Sequence, residues 1–160
     1  MLIALLGFSQ ALVAACRTQA LTRERTLAIE GCRVQVEAMR SNAFVNIFRR
    51  FNAYGLDDTG APNTDPGSGF VIAGLNPVAG EDAFVGEIVF PVNSAAPEIL
   101  REDLVLPELG MPLDIDLDGA IDATDHAADY DVLPVIVRAR WRSASGPAEV
   151  AIQTYFGADL

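Results

Sequence analysis

From Met1 to about Ala53 the chain carries no proline, and beyond Cys16 this stretch holds one glycine, Gly31. Nothing in it stops a helix, and an uninterrupted helix over residues 1–53 would be roughly 80 Å long at 1.5 Å per residue. A chain of 160 residues folds into one ordinary domain that cannot cover a rod of that length. The two halves also differ. Residues 1–16 (MLIALLGFSQALVAAC) contain no charge, while residues 17–53 mix charges with apolar side chains at helical spacing. Those are Leu27, Val34 and Ala38, then Phe44, Phe48 and Phe51. The expected layout is an apolar stem over 1–16 and an amphipathic half over 17–53 that packs on a head formed by residues 54–160.

The charge distribution agrees with that division. Residues 1–52 hold seven Arg against Glu24, Glu30 and Glu37, a net of +4, whereas residues 53–160 hold four Arg against 19 acids, a net of −15. No nucleic-acid partner is expected for so acidic a head, because a phosphate backbone demands the opposite sign. Cys16 and Cys32, on one helix, stand roughly 24 Å apart, beyond disulfide reach, and read as small apolar packing residues. The stem's 16 uncharged residues fall short of the ~20 that a helix needs to cross a bilayer. It also lacks the basic leader and following breaker of a cleaved signal. The expectation is that the true start lies upstream of Met1.

After the helix, residues 54–69 (YGLDDTGAPNTDPGSG) form a turn-rich loop, where Asp57, Asp58 and Asp65 read as turn chemistry. Strands are expected at Phe70–Leu75, Phe84–Pro91, Val132–Arg142 and Ala148–Phe156. In the third, Val135, Val137, Ala139 and Trp141 share one face and Arg138, Arg140 and Arg142 the other, and the fourth returns across 143–147 as a hairpin. One long helix followed by an antiparallel sheet is an α+β fold.

The sharpest chemical pattern is Asp114-Ile-Asp116-Leu-Asp118-Gly119-Ala120-Ile121-Asp122-Ala-Thr-Asp125. Calcium takes six to eight hard oxygen ligands, and a twelve-residue loop supplies them from its positions 1, 3, 5, 7, 9 and 12. Here these are Asp114, Asp116, Asp118, the backbone carbonyl of Ala120, Asp122 through a water, and Asp125. Gly119 occupies the sharp turn at position 6, and Ile121 is expected to pin the loop to the core. The last ligand is Asp rather than the longer Glu, and Pro107 and Pro112 exclude an entering helix, so this is an EF-hand-like loop without the helix–loop–helix frame. It resembles the loop of dockerin modules, which accept Asp at the last position. Dockerins carry two such loops and this chain carries one, so cohesin binding does not follow. His126, the single histidine, reads as a solvated residue opening a short helix after the loop, because one His without Cys partners is a weak metal or catalytic signal. No nucleophile–base pair, phosphate loop or metal-hydrolase spacing is found, and the chain does not read as an enzyme.

The stem, LIALLGFSQALVAACRTQALTRERTLAIEGCRVQVEAMRS, runs from an apolar segment into LAIEGCRVQVEAMR at Leu27–Arg40. In this it resembles the type IV pilin-like proteins, and more narrowly their minor pilin and pseudopilin branch. The resemblance covers about the first 53 residues closely and the strand order loosely. It departs from the family at the processing motif: Gly7-Phe8-Ser9 imitates the start, but the fifth residue after Gly7 is Leu12 and not an acid. The resemblance implies a long helix packed on a small antiparallel sheet and insertion in the inner membrane as a single pass with a periplasmic head. It also implies assembly with other pilin-like subunits, through the N-terminal helix, into an extracellular or secretion-type filament, and calcium that stabilises the head. The competing expectation is a membrane-tethered periplasmic or surface module that uses calcium to present a binding face.

Overall fold

The computed structural model describes residues 2–58, 60–80 and 84–157, with the side chains of residues 2–9 outside the description. Helix α1 runs over Leu2–Arg40, 39 residues, or about 58 Å. It ends where Ser41 and Asn42 turn their side chains back onto the Ala38 carbonyl, at 2.7 and 2.6 Å. Short polar side chains compete for helical carbonyls in this way. Ala43 is extended, a single 3₁₀ turn follows at Phe44–Asn46, and α2 covers Ile47–Phe51. The uninterrupted helix expected to Ala53 is thus broken at 41–43, and the break lets α2 turn its apolar face into the core. Ile47, Phe48 and Phe51 are buried there. Phe48 meets Phe90 edge to face at 5.3 Å, Phe44 meets Tyr130 at 4.9 Å, and the Tyr130 hydroxyl donates to the Phe44 carbonyl at 2.7 Å. Arg50 ties the two helical pieces together, reaching Asn42 on one side and Asp65 at 3.0 Å on the other.

The sheet has four strands in the order β1-β2-β5-β6, every pair antiparallel. These are β1 (Gly69–Phe70), β2 (Gly86–Val89), β5 (Val132–Ser143) and β6 (Gly146–Gly157). The predicted C-terminal hairpin is present and longer than expected, in register from Val132↔Gly157 to Ser143↔Gly146. Val135, Val137, Ala139 and Trp141 are buried in the main core. On the opposite face Arg138 pairs with Glu87 at 2.7 Å and Arg140 with Glu149 at 3.0 Å. Ile136 points the same way as these arginines but is buried in a second, smaller cluster with Leu109 and Met111.

Two sequence expectations needed correction here. The strand at Phe70–Leu75 shrinks to Gly69–Phe70, because the chain turns at Ile72–Leu75 with Gly74 at φ 89. The run after Pro91 holds a small hairpin that was not among the expected strands, β3 (Val92–Asn93) with β4 (Ala96–Leu100), turning where Asn93 Oδ1 accepts from the Ala95 amide at 3.0 Å.

Helix α1 lays its second half on β5 and β6. The buried residues are Ala28, Cys32, Val36 and Met39, a stripe turned by roughly 135° from the expected one. Val34 is 67% exposed, and Leu27 and Ala38 only flank the contact. Small residues set the choice. A Cβ on Gly31 would stand 2.6 Å from Ile72 Cδ1, so the helix approaches the head along the Ala28–Gly31–Cys32 surface, where nothing bulky intervenes.

Candidate metal centre

The loop from Asp114 to Asp125 is held between the end of β4 and the start of β5 by backbone and side-chain bonds at both ends. On the exit side, Asp125 Oδ1 accepts from the amides of Leu100 at 3.1 Å and Ala127 at 3.0 Å, and the His126 amide donates to the Leu100 carbonyl at 2.9 Å. On the entry side, Ile115 is fully buried, and its carbonyl accepts from Asp131 and Val132 at 2.8 and 2.9 Å. The anchor of the loop is therefore Ile115. Ile121, expected to fill that role, is 50% exposed, because the second half of the loop is gripped through its backbone by Glu102.

Glu102 is the residue that sequence reasoning missed. It sits just after β4, 1% exposed. Its Oε1 accepts from the amides of Ile115 at 2.6 Å and Asp116 at 3.3 Å, and its Oε2 from Asp122 at 3.2 Å. One buried carboxylate thus organises both halves of the loop. No spacing pattern marks it, since the contact is made twelve or more residues away.

Within the loop, successive carboxylates accept from amides a few residues ahead: Asp114 Oδ2 from Gly119 at 2.9 Å, Asp116 Oδ1 from Asp118 at 3.1 Å, and Asp118 Oδ1 from Ala120 at 2.7 Å. These side-chain turns curl the backbone around the acids. Gly119 adopts φ 92, and a Cβ there would meet nothing within 4 Å, so glycine is needed for its conformation and not for room. The result gathers one oxygen each of Asp114, Asp116 and Asp118 within 4.8 Å of one another. Asp114 Oδ1 is buried and makes no hydrogen bond among the described residues. These oxygens are hard donors converging from one short loop, which is the chemistry that calcium selects.

The other expected ligands are Asp122, Asp125 and the Ala120 carbonyl. Asp122 Oδ1 accepts from the amide and hydroxyl of Thr124 at 2.7 and 2.6 Å, which draws its carboxyl below the usual range. Asp125 serves the backbone as described. Ala120 lies on the loop between the two groups. The Asp118 amide pulls the Asp116 carboxyl down. Desolvation and the neighbouring charges of Asp118 and Glu102 outweigh that pull, so the Asp116 pKa lies above the ordinary carboxylate value. Anions crowded in this way favour any cation placed among them.

His126 is corrected outright. It is 4% exposed, no helix follows it, and it is ringed by acids. Nε2 lies 3.3 Å from Asp122 and 3.8 Å from Glu102, and Nδ1 lies 3.5 Å from Asp116 and 3.3 Å from Asp129. Burial lowers its pKa, but the bond to Asp122 and the charges of Glu102, Asp129 and Asp116 outweigh that and leave it raised.

Comparison with known protein families, with curated proteins and with solved structures finds no match to this chain.

Proposed function

We infer that this protein is a minor pilin- or pseudopilin-like subunit, inserted by its stem in the inner membrane and then packed into a filament with its head outside. One observation carries the reading. A single helix of 39 residues lays only its second half on an antiparallel sheet, and every described side chain from Gln10 to Arg23 is exposed. Leu12, Val13 and Leu21 are among the large apolar residues left uncovered, and a surface of that kind calls for a partner. Thr18, Thr22 and Thr26 each return their hydroxyl to the carbonyl four residues back, at 3.0 Å. Those polar groups are satisfied within the helix, which suits an apolar or helix-packed surrounding. Ala11, Ala14 and Ala15 permit close approach of a neighbouring stem. Among the described residues no helix is both long and apolar enough to cross a membrane, so the support lies in the lateral surface of the stem.

The calcium loop in this reading stabilises the head just before its longest hairpin. A second reading, a tethered module that uses calcium to present a binding face, is favoured by the exposure of Leu117 and Ile121 on the loop.

Replacing residues 1–16 with an unrelated apolar anchor separates the two. The pilin-like reading expects loss of filament assembly, or of the secretion that depends on it, with the head still folded. Full assembly with the foreign anchor would reduce the stem to a tether and leave the binding module standing.

A further inference from the structure

We propose that Glu102, Asp116 and His126 form a second cation site, suited to a transition metal of the zinc class and sharing Asp116 with the calcium loop. The proposal stands apart from the filament reading and rests on two observations. One ligand atom from each of the three residues lies within 4.8 Å of the others. And Nδ1 of His126, on a side chain only 5% exposed, is buried without a hydrogen bond.

The bonds around the ring settle which nitrogen faces the site. The Thr124 hydroxyl donates its one proton to Asp122 Oδ1 at 2.6 Å, so at 3.0 Å from Nε2 it can only accept. In the neutral ring the proton therefore sits on Nε2, and Nδ1 carries a lone pair. That lone pair faces the carboxylates of Asp116 at 3.5 Å and Asp129 at 3.3 Å, while Glu102 approaches the same ring from the Nε2 side at 3.8 Å. Acceptors facing acceptors repel; a second proton on the ring relieves this, and so does a cation, which turns the repulsion into coordination.

The donor set chooses the cation. Calcium takes oxygen ligands, whereas zinc accepts imidazole nitrogen together with carboxylate oxygen at about 2.0–2.2 Å. Ligands at that radius on a tetrahedron stand roughly 3.4 Å apart, and Nδ1 and Asp116 Oδ2 are already 3.5 Å apart. Three protein ligands leave the fourth position open, on the side of the exposed Asp129. A metal-binding histidine ordinarily gives its other N–H to a hydroxyl or carboxylate that fixes its orientation, and the Thr124–Asp122 pair stands in that place.

His126 is the only histidine in the chain, so one imidazole spin system reports on the site without any substitution. The test titrates zinc chloride into the untagged full chain, labelled with nitrogen-15 histidine, in detergent and saturating calcium. The expected result is a saturable shift of the Nδ1 resonance at one equivalent of zinc, with no such shift from calcium alone. By calorimetry, His126→Gln weakens zinc binding by about 100-fold or more, the upper end of what losing an outer-shell partner costs, and leaves calcium binding in place. Asp118→Asn does the reverse. Histidine resonances that stay put under zinc, or that keep the imidazolium pattern throughout, overturn the proposal, and so does undiminished zinc affinity in His126→Gln. If that variant does not fold, the titration of the unaltered chain decides the matter.

Discussion

A single buried carboxylate, Glu102, shows how much of this head rests on one residue outside the loop it organises. Its two oxygens accept three loop amides, and in Glu102→Ala those amides face a cavity with no acceptor. Each unsatisfied buried donor costs on the order of 1–3 kcal/mol, and partial hydration of the gap should bring the total to about 2–4 kcal/mol. Urea unfolding in the presence of chelator measures it. Glu102→Gln keeps one acceptor oxygen and should lose roughly half as much. A change within about 0.5 kcal/mol for the alanine variant, the size of an ordinary surface substitution, would show that water replaces the carboxylate freely. At this scale the sequence was partly legible. Asp114, Asp116 and Asp118 could be read as a converging set because their spacing is local, and the structure does bring them together. Glu102 and the burial of His126 could not be read, because both follow from how β4 and the loop exit lie against each other.

At the scale of elements, the instructive case is the face that α1 gives to the sheet. Two apolar stripes run along its second half, and the one expected to be buried was that of Leu27, Val34 and Ala38. The sheet takes Ala28, Cys32, Val36 and Met39, because burial depends on how closely two backbones can approach as well as on the area each side chain offers. Met39→Ala should therefore cost about 2–5 kcal/mol, the usual range for emptying a packed core position. Val34→Ala should stay within about 0.5 kcal/mol. Unfolding midpoints of the two variants check this, and a larger loss for Val34→Ala would mean that the helix sits on its other face. The break at 41–43 belongs to the same scale. Ser41 and Asn42 are weak helix formers, but propensity alone does not end a helix that packing could carry through. The burial of Ile47, Phe48 and Phe51 decided it.

For the whole molecule, the acidic head and its loop of converging aspartates act together. Residues 53–160 carry a net charge of −15, and the three converging aspartates concentrate part of it in one place. A cation that binds only the folded form stabilises by mass action, about 2.7 kcal/mol when its concentration is 100 times its Kd. For a head of this size that corresponds to roughly 10 °C in the unfolding midpoint. Calorimetric scans with calcium and with chelator should differ by about that amount, and Asp118→Asn should remove most of the difference. An unchanged midpoint, with the variant indistinguishable from the unaltered chain, would dismiss calcium as part of the fold.

By itself the sequence determined what is carried by short-range pattern. That covers a long helix with an uncharged start, an antiparallel hairpin with its arginines on one face, an α+β order of elements, and a loop with acids at calcium spacing. Each of these depends on periodicity or on neighbours a few residues apart, which the chain states directly. The tertiary structure alone decided which stripe of the helix is buried and where the helix breaks. It also decided that Ile115 and not Ile121 anchors the loop, and that Glu102 and His126 join it. Those outcomes turn on contacts between segments distant in the chain, where close approach, burial and the need to satisfy every buried polar group choose among arrangements that local pattern leaves equal.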